Sequence, residues 1–476
     1  METRDIFRNL SPLDHRYYQA NKALFERLSD HLSEDAVAGS CLKVEAALLK
    51  THLSMRSLLT DDIVRQIDAL PQNTGAAEIY AEEEKTQHNV RALVNVLKRK
   101  VPENIRHFVH LGATSVDILD TAAAIRVRGA LQEVIVPLLI DLELELCRLA
   151  QEHARTVQVG RTHGQYAVPI TFGFAMAEYV SRLGKSIEEV TGRAADLRGK
   201  LSGAVGAYNA MSVAAVDPEE VERDALSLLG LRPSDHSTQL VEAEYLLRLL
   251  LEVNTAFGII ANLADDLRNL QRSEIDEVRE YFSETQVGSS TMPQKRNPWN
   301  CEHVKSLWKA FAPRVVTFYM DQISEHQRDL TNSASSRFVA DYLAGFAAAV
   351  NRMLGVLRGL RVNTDRLRHN LAEAGDMVLA EPAYILLSLA GRSDAHETLR
   401  KLTLECEKRG IRLVEALKRE PSLWEAISGQ LAQVMRIDAE AFFGDPSLYT
   451  GRAAERALEL ASSFGQRMAN LKGRSK

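Results

Sequence analysis

A hydrophobic spacing of three and four residues recurs through most of this 476-residue chain and constrains its fold more than any other feature. Leu246, Leu250, Val253, Phe257, Ile260, Ala264 and Leu267 follow at alternating steps of four and three, the seam of a helix packed in a bundle. Leu131, Val134, Ile135, Leu138, Leu139, Leu142, Leu146 and Leu149 mark a second long helix, expected to reach about Arg155 with a kink at Pro137. Between Leu24 and Leu97 the rhythm holds, as in Val44, Leu48 and Leu49 or Val90, Leu93, Val94 and Leu97, and it returns from Phe338 to Leu360. Trp299 to Ser324 is also expected to be helical, kinked at Pro313. From about Arg361 shorter pieces take over. The chain therefore predicts an all-α fold in three domains: an N-terminal helical unit at 1–110, a central bundle of long helices at 111–360 and a C-terminal helical unit at 361–476.

Composition narrows the function. A hydrophobic content of 45% supports a large core, and a net charge of −6 with Lys and Arg spread along the chain supplies no basic field for nucleic acid or an anionic membrane. A small molecule is the expected partner. Cys41, Cys147, Cys301 and Cys406 lie far apart without metal-ligand spacing, which suits reduced thiols and indicates no structural zinc. Met1 to Ala20 is rich in charge and lacks a signal peptide's apolar core, and no uninterrupted apolar run approaches ~18 residues. The expected location is the cytoplasm.

Against this helical background, Gly288 to Pro298 (Gly-Ser-Ser-Thr-Met-Pro-Gln-Lys-Arg-Asn-Pro) reads as a loop. Ser289, Ser290, Lys295, Arg296 and Asn297 give it many donors that can converge on an anion; the plain alternative is a polar surface turn. Gly160 to Pro169 places His163 in a turn between two helices, where it can reach a cleft. Gln87-His88-Asn89 lies on a helix, where a lone His is either structural or functional. At His110 to Ala122 a Gly-containing turn precedes a helix start that Thr114 or Ser115 can cap, with Asp117 in the first turn; free amides and hydroxyls there also suit a carboxylate. Ser237-Thr238-Gln239 is expected to open a helix. Glu325 to Arg337 is either a solvated connection or, through Arg328, Ser333 and Arg337, a phosphate site. Gly203 to Ser212 is small and flexible, which is weak evidence for phosphate binding.

The Gly288 to Pro298 stretch resembles, without a gap, the mobile signature loop of the fumarase/aspartase superfamily. Gly160 to Pro169 resembles its second signature. Two further blocks are similar to adenylosuccinate lyases: Ser-Pro-Leu-Asp-x-Arg-Tyr at Ser11 to Tyr17, with His15 where many carry Gly, and Arg-Asp-Leu-Thr-x-Ser-x-x-x-Arg at Arg328 to Arg337. The resemblance extends from Ser11 to Gly451 and takes in Gly391 to Glu397 and Asp445 to Gly451, which are expected to pack. It implies a fumarase/aspartase-like fold whose helices assemble into a homotetrameric core, burying apolar seams that one copy would expose, with active sites shared between subunits. It also implies a lyase that releases fumarate from adenylosuccinate and from the succinyl-carboxamide ribotide of purine synthesis, with no metal and no organic cofactor. Asn89 replaces the family's usual Asp, and the Arg common shortly after Gln239 is absent. Another superfamily lyase or cycloisomerase, of argininosuccinate or carboxymuconate type, therefore stays open, as does a relative that has lost catalysis.

Chemistry assigns the roles within that resemblance. Taking a proton from the carbon beside a carboxylate builds charge on that carboxylate, which Lys295, Asn297 and loop amides can stabilise. Ser289 is expected as base and His163 as acid to the departing nitrogen, with His88 positioning substrate. Gln87, Asn89, Thr114, Ser115, Gln239, Ser290 and Arg296 are expected to bind substrate, and Arg16, Tyr17, Arg328, Ser333 and Arg337 to take its phosphate. Glu302, seven residues after Lys295, is expected to pair with it.

Overall fold

The three-four spacing folds into long helices, and helix accounts for 69% of the chain. The structure, a computed structural model, describes residues 4–474. Residues 1–3 and 475–476, at the outer ends of the first and last expected units, lie outside the described residues. Short turns and helices between Ile6 and Leu32 lead into α1 (Glu34–Ser54), whose start is capped by Ser33 accepting the Ala36 N–H. Next come α2 (Ala76–Thr86), α3 (Asn89–Lys100) and α4 (Ser115–Gly129). Leu48, Leu93 and Ile118 from α1, α3 and α4 share a core with Leu201, Met211 and Val221.

Helix α4 runs unbroken through a π turn at Ala130–Ile135 into α5 (Val136–Glu152), which ends three residues short of Arg155. The helix runs on through Pro137, the position at which a kink is expected. The Val136 N–H reaches back five residues to the Leu131 carbonyl, and Pro137 sits in the first turn after this widened segment, where its lost N–H is least costly. Two antiparallel strands follow, β1 (Val157–Thr162) and β2 (Gln165–Thr171). The Gly160 to Pro169 region is thus a β-hairpin and not the interhelical turn expected.

After it come α6 (Phe172–Ala195), α7 (Ala243–Leu270), α8 (Trp299–Phe311), α9 (Arg314–Met320) and α10 (Val339–Gly359). Helix α5 packs on α6, α6 on α7, α7 on α8, α8 on α10, and α10 on α5, which closes a five-helix ring. The seam from Leu250 to Leu267 is buried throughout, with Phe257 against Phe346 at 5.2 Å between ring centroids. By length and composition α7 could cross a membrane, but more than half of its apolar window is buried inside this bundle. Pro313 separates α8 from α9, as its position predicts.

Beyond the bundle, α11 (Thr364–Ala374) packs on β1. Short helices between Ala380 and Gly444 surround their own core of Leu387, Leu413, Ile427, Phe442 and Phe443. The last helix, α12 (Ala453–Arg474), returns to lie on α5 and α6, where Phe464 and Met468 join the bundle core.

Candidate active site

His163 forms the tip of the β1–β2 hairpin. Its φ of +54° and the +75° of Gly164 give a two-residue loop with both central residues left-handed, the turn whose twist matches the flanking strands. The imidazole is exposed. The hairpin is rooted by Glu277, a fully buried carboxylate between α7 and the signature loop. Arg161 clamps it with two donors at 2.6 and 3.1 Å, Gln158 Nε2 reaches it at 2.7 Å, and Asn370 of α11 donates at 2.8 Å. Four donors satisfy the two oxygens of a carboxylate that burial would otherwise leave without partners.

The signature loop closes on itself. A Cβ at Gly288 would lie 2.1 Å from the Lys295 carbonyl oxygen, so only glycine allows the two ends to meet this closely. Asn297 Nδ2 donates to the Gly288 carbonyl at 3.2 Å. Ser289 Oγ accepts the N–H groups of Met292 at 3.0 Å and Thr291 at 3.3 Å. Ser289 is partly buried, whereas Ser290, Lys295 and Arg296 are exposed, Arg296 with its guanidinium 5.2 Å from the Phe282 ring centroid. Lys295 and Glu302 do not form the ion pair expected: Glu302 lies exposed in the first turn of α8, its N–H bonded to the Pro298 carbonyl, and no ion pair joins the two among the described residues. The loop's downstream end is pinned by Glu280, which accepts from Asn300 N–H, Asn300 Nδ2 and Cys301 N–H.

A third group gathers at the start of α4. Asp117 accepts the Thr114 N–H at 2.8 Å, which fixes Thr114 and Ser115 at the helix N-terminus, and it pairs with the fully buried Lys200, whose ammonium also donates to the Gly203 carbonyl. One turn on, Asp120 accepts the Val241 N–H at 3.0 Å; burial pushes its pKa up to about 6. Contrary to expectation, Ser237 to Gln239 does not open a helix. α7 starts only at Ala243, and the segment is a loop held by Asp120 and by the Gln239 N–H to the Gln327 carbonyl at 3.3 Å. Arg328, at φ +75°, donates to the Gln322 carbonyl and to Ser324 Oγ. With Thr238 and Leu240 it lines a cavity of about 320 Å³. The first turns of α4, the Gln239 segment and the Arg328 segment are thus linked within one chain through Asp120–Val241 and Gln239–Gln327.

His88 lies between helices and not on one. It caps α3, its Nδ1 accepting the Arg91 N–H at 3.3 Å, so the proton of the neutral ring sits on Nε2. Gln87 ends α2 at φ +51°, and Asn89 Oδ1 accepts the Val90 N–H. Tyr17 Oη is 2.9 Å from His303 Nε2 on α8. Arg16, Ser333 and Arg337 are exposed, and Arg337 lies within electrostatic reach of Tyr80. No hydrogen bond joins His163, Ser289 and His88 to one another among the described residues. Glu277, Glu280, Asp120 and Lys200 were not singled out in the sequence; their signal is an acid or base in an otherwise apolar or turn-rich stretch, which only the fold connects to the site.

Residues 15–310 match the Lyase family and residues 324–437 the family of adenylosuccinate lyase C-terminal regions. The adenylosuccinate lyase of Pyrococcus horikoshii is 31% identical over 93% of this chain and 95% of its own. An N-acetyl-S-(2-succino)cysteine lyase of Dickeya dadantii is 28% identical over 80% and 82%. Among solved structures, the 3-carboxy-cis,cis-muconate lactonizing enzyme of Pseudomonas putida superposes with a TM-score of 0.77 at 24% identity, over 95% of this chain and 99% of that one. The chain belongs to the adenylosuccinate lyase family of the fumarase/aspartase superfamily.

Proposed function

We propose that the protein eliminates fumarate from adenylosuccinate to leave AMP, and from succinyl-aminoimidazole carboxamide ribotide to leave the carboxamide ribotide. The observation that carries the mechanism is the pair of N–H groups aimed at Ser289 Oγ. A serine hydroxyl is a poor base in water, and two fixed backbone donors stabilise the alkoxide it must become. Ser289 takes the proton from the carbon beside a carboxylate. Lys295 and Asn297 meet the charge that grows on that carboxylate. The C–N bond breaks, its electron pair leaves with nitrogen, and His163 donates a proton there, so fumarate and the amine depart with atoms and charge balanced. His88, with its proton on Nε2, donates to substrate and positions it.

His163 and Ser289 stand on separate elements that no hydrogen bond joins among the described residues, and α9 with the turn after it exposes Val316, Tyr319, Met320 and Ile323. Both features support a homotetramer whose active sites draw on neighbouring subunits. Four buried free thiols suit a reducing cytoplasm. The direct test is the ultraviolet absorbance change as adenylosuccinate becomes AMP; absence of turnover on both purine substrates overturns the reading. A second reading, a smaller succinylated substrate, draws on the Dickeya relative's name and on Asn89, whose side chain accepts its neighbour's N–H and has no other hydrogen bond among the described residues. Turnover of a succinylated amino acid in preference to adenylosuccinate would favour it.

A further inference from the structure

Lys200 is the only buried lysine or arginine among the described residues, and it is wholly out of solvent. Its ammonium pairs with Asp117, also fully buried, and donates to the Gly203 carbonyl at 3.1 Å. Asp117 in turn accepts the Thr114 N–H at 2.8 Å and the Gly203 N–H at 3.2 Å. The Lys200 backbone is fixed as well. Buried Thr121, one turn past Asp117 on α4, accepts the Lys200 N–H and donates to its carbonyl through the same hydroxyl, both at 3.0 Å. The Gly203 to Ser212 segment, which the proposed mechanism does not use, packs against protein. A Cβ at Gly206 would lie 1.9 Å from the Ser237 carbonyl oxygen, and one at Gly112 would lie 3.0 Å from Met211 Sδ. The segment is thus wedged between the turn before Thr114 and the loop that carries Gln239.

Taking two charges out of water offsets most of what their attraction gives, and an apolar pair of similar volume often serves stability as well. What the pair supplies is geometry. Away from water, Asp117 has no partner to exchange for Lys200, so the Thr114 end of α4 stays where this pair puts it. A carboxylate at that helix N-terminus is held by hydrogen bonds that weaken steeply when misaligned. We propose that Lys200 is a positioning residue, which acts through Asp117 and the Gly203 turn to aim Thr114 and Ser115 at a carboxylate of the substrate. The inference rests on the reading that Thr114 and Ser115 receive the succinyl group.

The test follows Lys200→Met, Thr121→Val and Thr121→Ser with the two products as probes, fumarate for the carboxylate end and AMP for the nucleotide end, each titrated by calorimetry. Weakened hydrogen bonds to a charged group predict a fumarate Kd raised about tenfold in Lys200→Met and roughly threefold in Thr121→Val. Thr121→Ser keeps the hydroxyl and should stay near the wild type, with the AMP Kd within about twofold throughout. KM for adenylosuccinate should rise with the fumarate Kd while kcat stays within about threefold. Should Lys200→Met fail to fold with Asp117 left unpaired, the two Thr121 variants decide on the same readings. Fumarate and AMP weakened alike would make Lys200 a support of the whole fold and overturn the proposal. So would an unchanged fumarate Kd in folded Lys200→Met, or in Thr121→Val where that variant does not fold. If the wild type turns over neither purine compound and does not bind AMP, the functional reading fails by itself. Fumarate then decides alone: binding weakened by Thr121→Val and kept by Thr121→Ser supports the positioning role, and no binding to the wild type, or equal binding in all variants, overturns it.

Discussion

The hairpin that carries His163 is rooted in Glu277, a buried carboxylate that takes four donors from β1 and α11, while the loop that carries Ser289 is held by bonds within itself and leaves its Lys and Arg in solvent. Both present, at a turn, a side chain to which the proposed mechanism gives a proton-transfer role. One is fixed by the interior, and the other can open by giving up a few surface hydrogen bonds. That division suits an elimination in which the proton donor stays in place and the proton acceptor arrives with a closing loop, shedding water as it does so.

The sharpest way to break the comparison is Ser289→Ala. It should lower kcat by ~10³-fold or more while substrate binding, measured by calorimetry, stays within a few-fold. Wild-type-like turnover would remove the loop from the chemistry. Next in size is the hairpin's root. Glu277→Ala leaves Arg161, Gln158 and Asn370 without their acceptor and should cost ~3–5 kcal/mol of stability, read as a fall in denaturation midpoint. Glu277→Gln keeps one acceptor oxygen and should cost less. If the two variants unfold alike, the hairpin is not held by this carboxylate. Gly288→Ala acts on the loop instead. A methyl 2.1 Å from the Lys295 carbonyl must spread the loop's base, so kcat should fall roughly a hundredfold with the thermal midpoint nearly unchanged. A large stability loss there would show that the loop is part of the folded core and erase the contrast.

The same contrast explains what the sequence revealed. The bundle was legible because a buried helix repeats its demand every three or four residues, and Leu250 to Leu267 meet it without exception. The hairpin was not, although Val157 and Val159 against Tyr166, Val168 and Ile170 alternate in strand fashion and His163-Gly164 is a turn pair. Its two runs are short, and Gly and Pro on either side read equally well as helix ends. Within the site, the loop's composition and the Asp117 cap were readable because both are local. The supports at Glu277, Glu280 and Lys200 were not, since each is defined by partners that sequence distance hides: Asn370 lies 93 residues after Glu277, and Asp117 lies 83 before Lys200.

The smallest expected effect lies at Asp120, which, like Glu277, is a carboxylate that holds a loop, but with one backbone donor where Glu277 has four. That difference appears in the proton. Burial outweighs the Val241 N–H and the attraction of Lys200, so the pKa of Asp120 rises from 3.8 to about 6. The folded protein therefore holds a proton between these values that the unfolded chain has released. The stability this group contributes is full below about 4 and is lost as pH rises through 6. A shift of about two units caps the loss at ~3 kcal/mol, less where solvent screens the partly exposed side chain. Asn at this position keeps an oxygen for the Val241 N–H and has no proton to lose. Asp120→Asn should leave the denaturation midpoint nearly unchanged near pH 4 and raise it at pH 7.5, with the gap opening between pH 4 and 6 and level above that. A gap that is flat with pH, or a variant less stable at pH 7.5, would mean that the charge of Asp120 is needed beside Lys200, and that a single donor roots this loop as firmly as four root the hairpin.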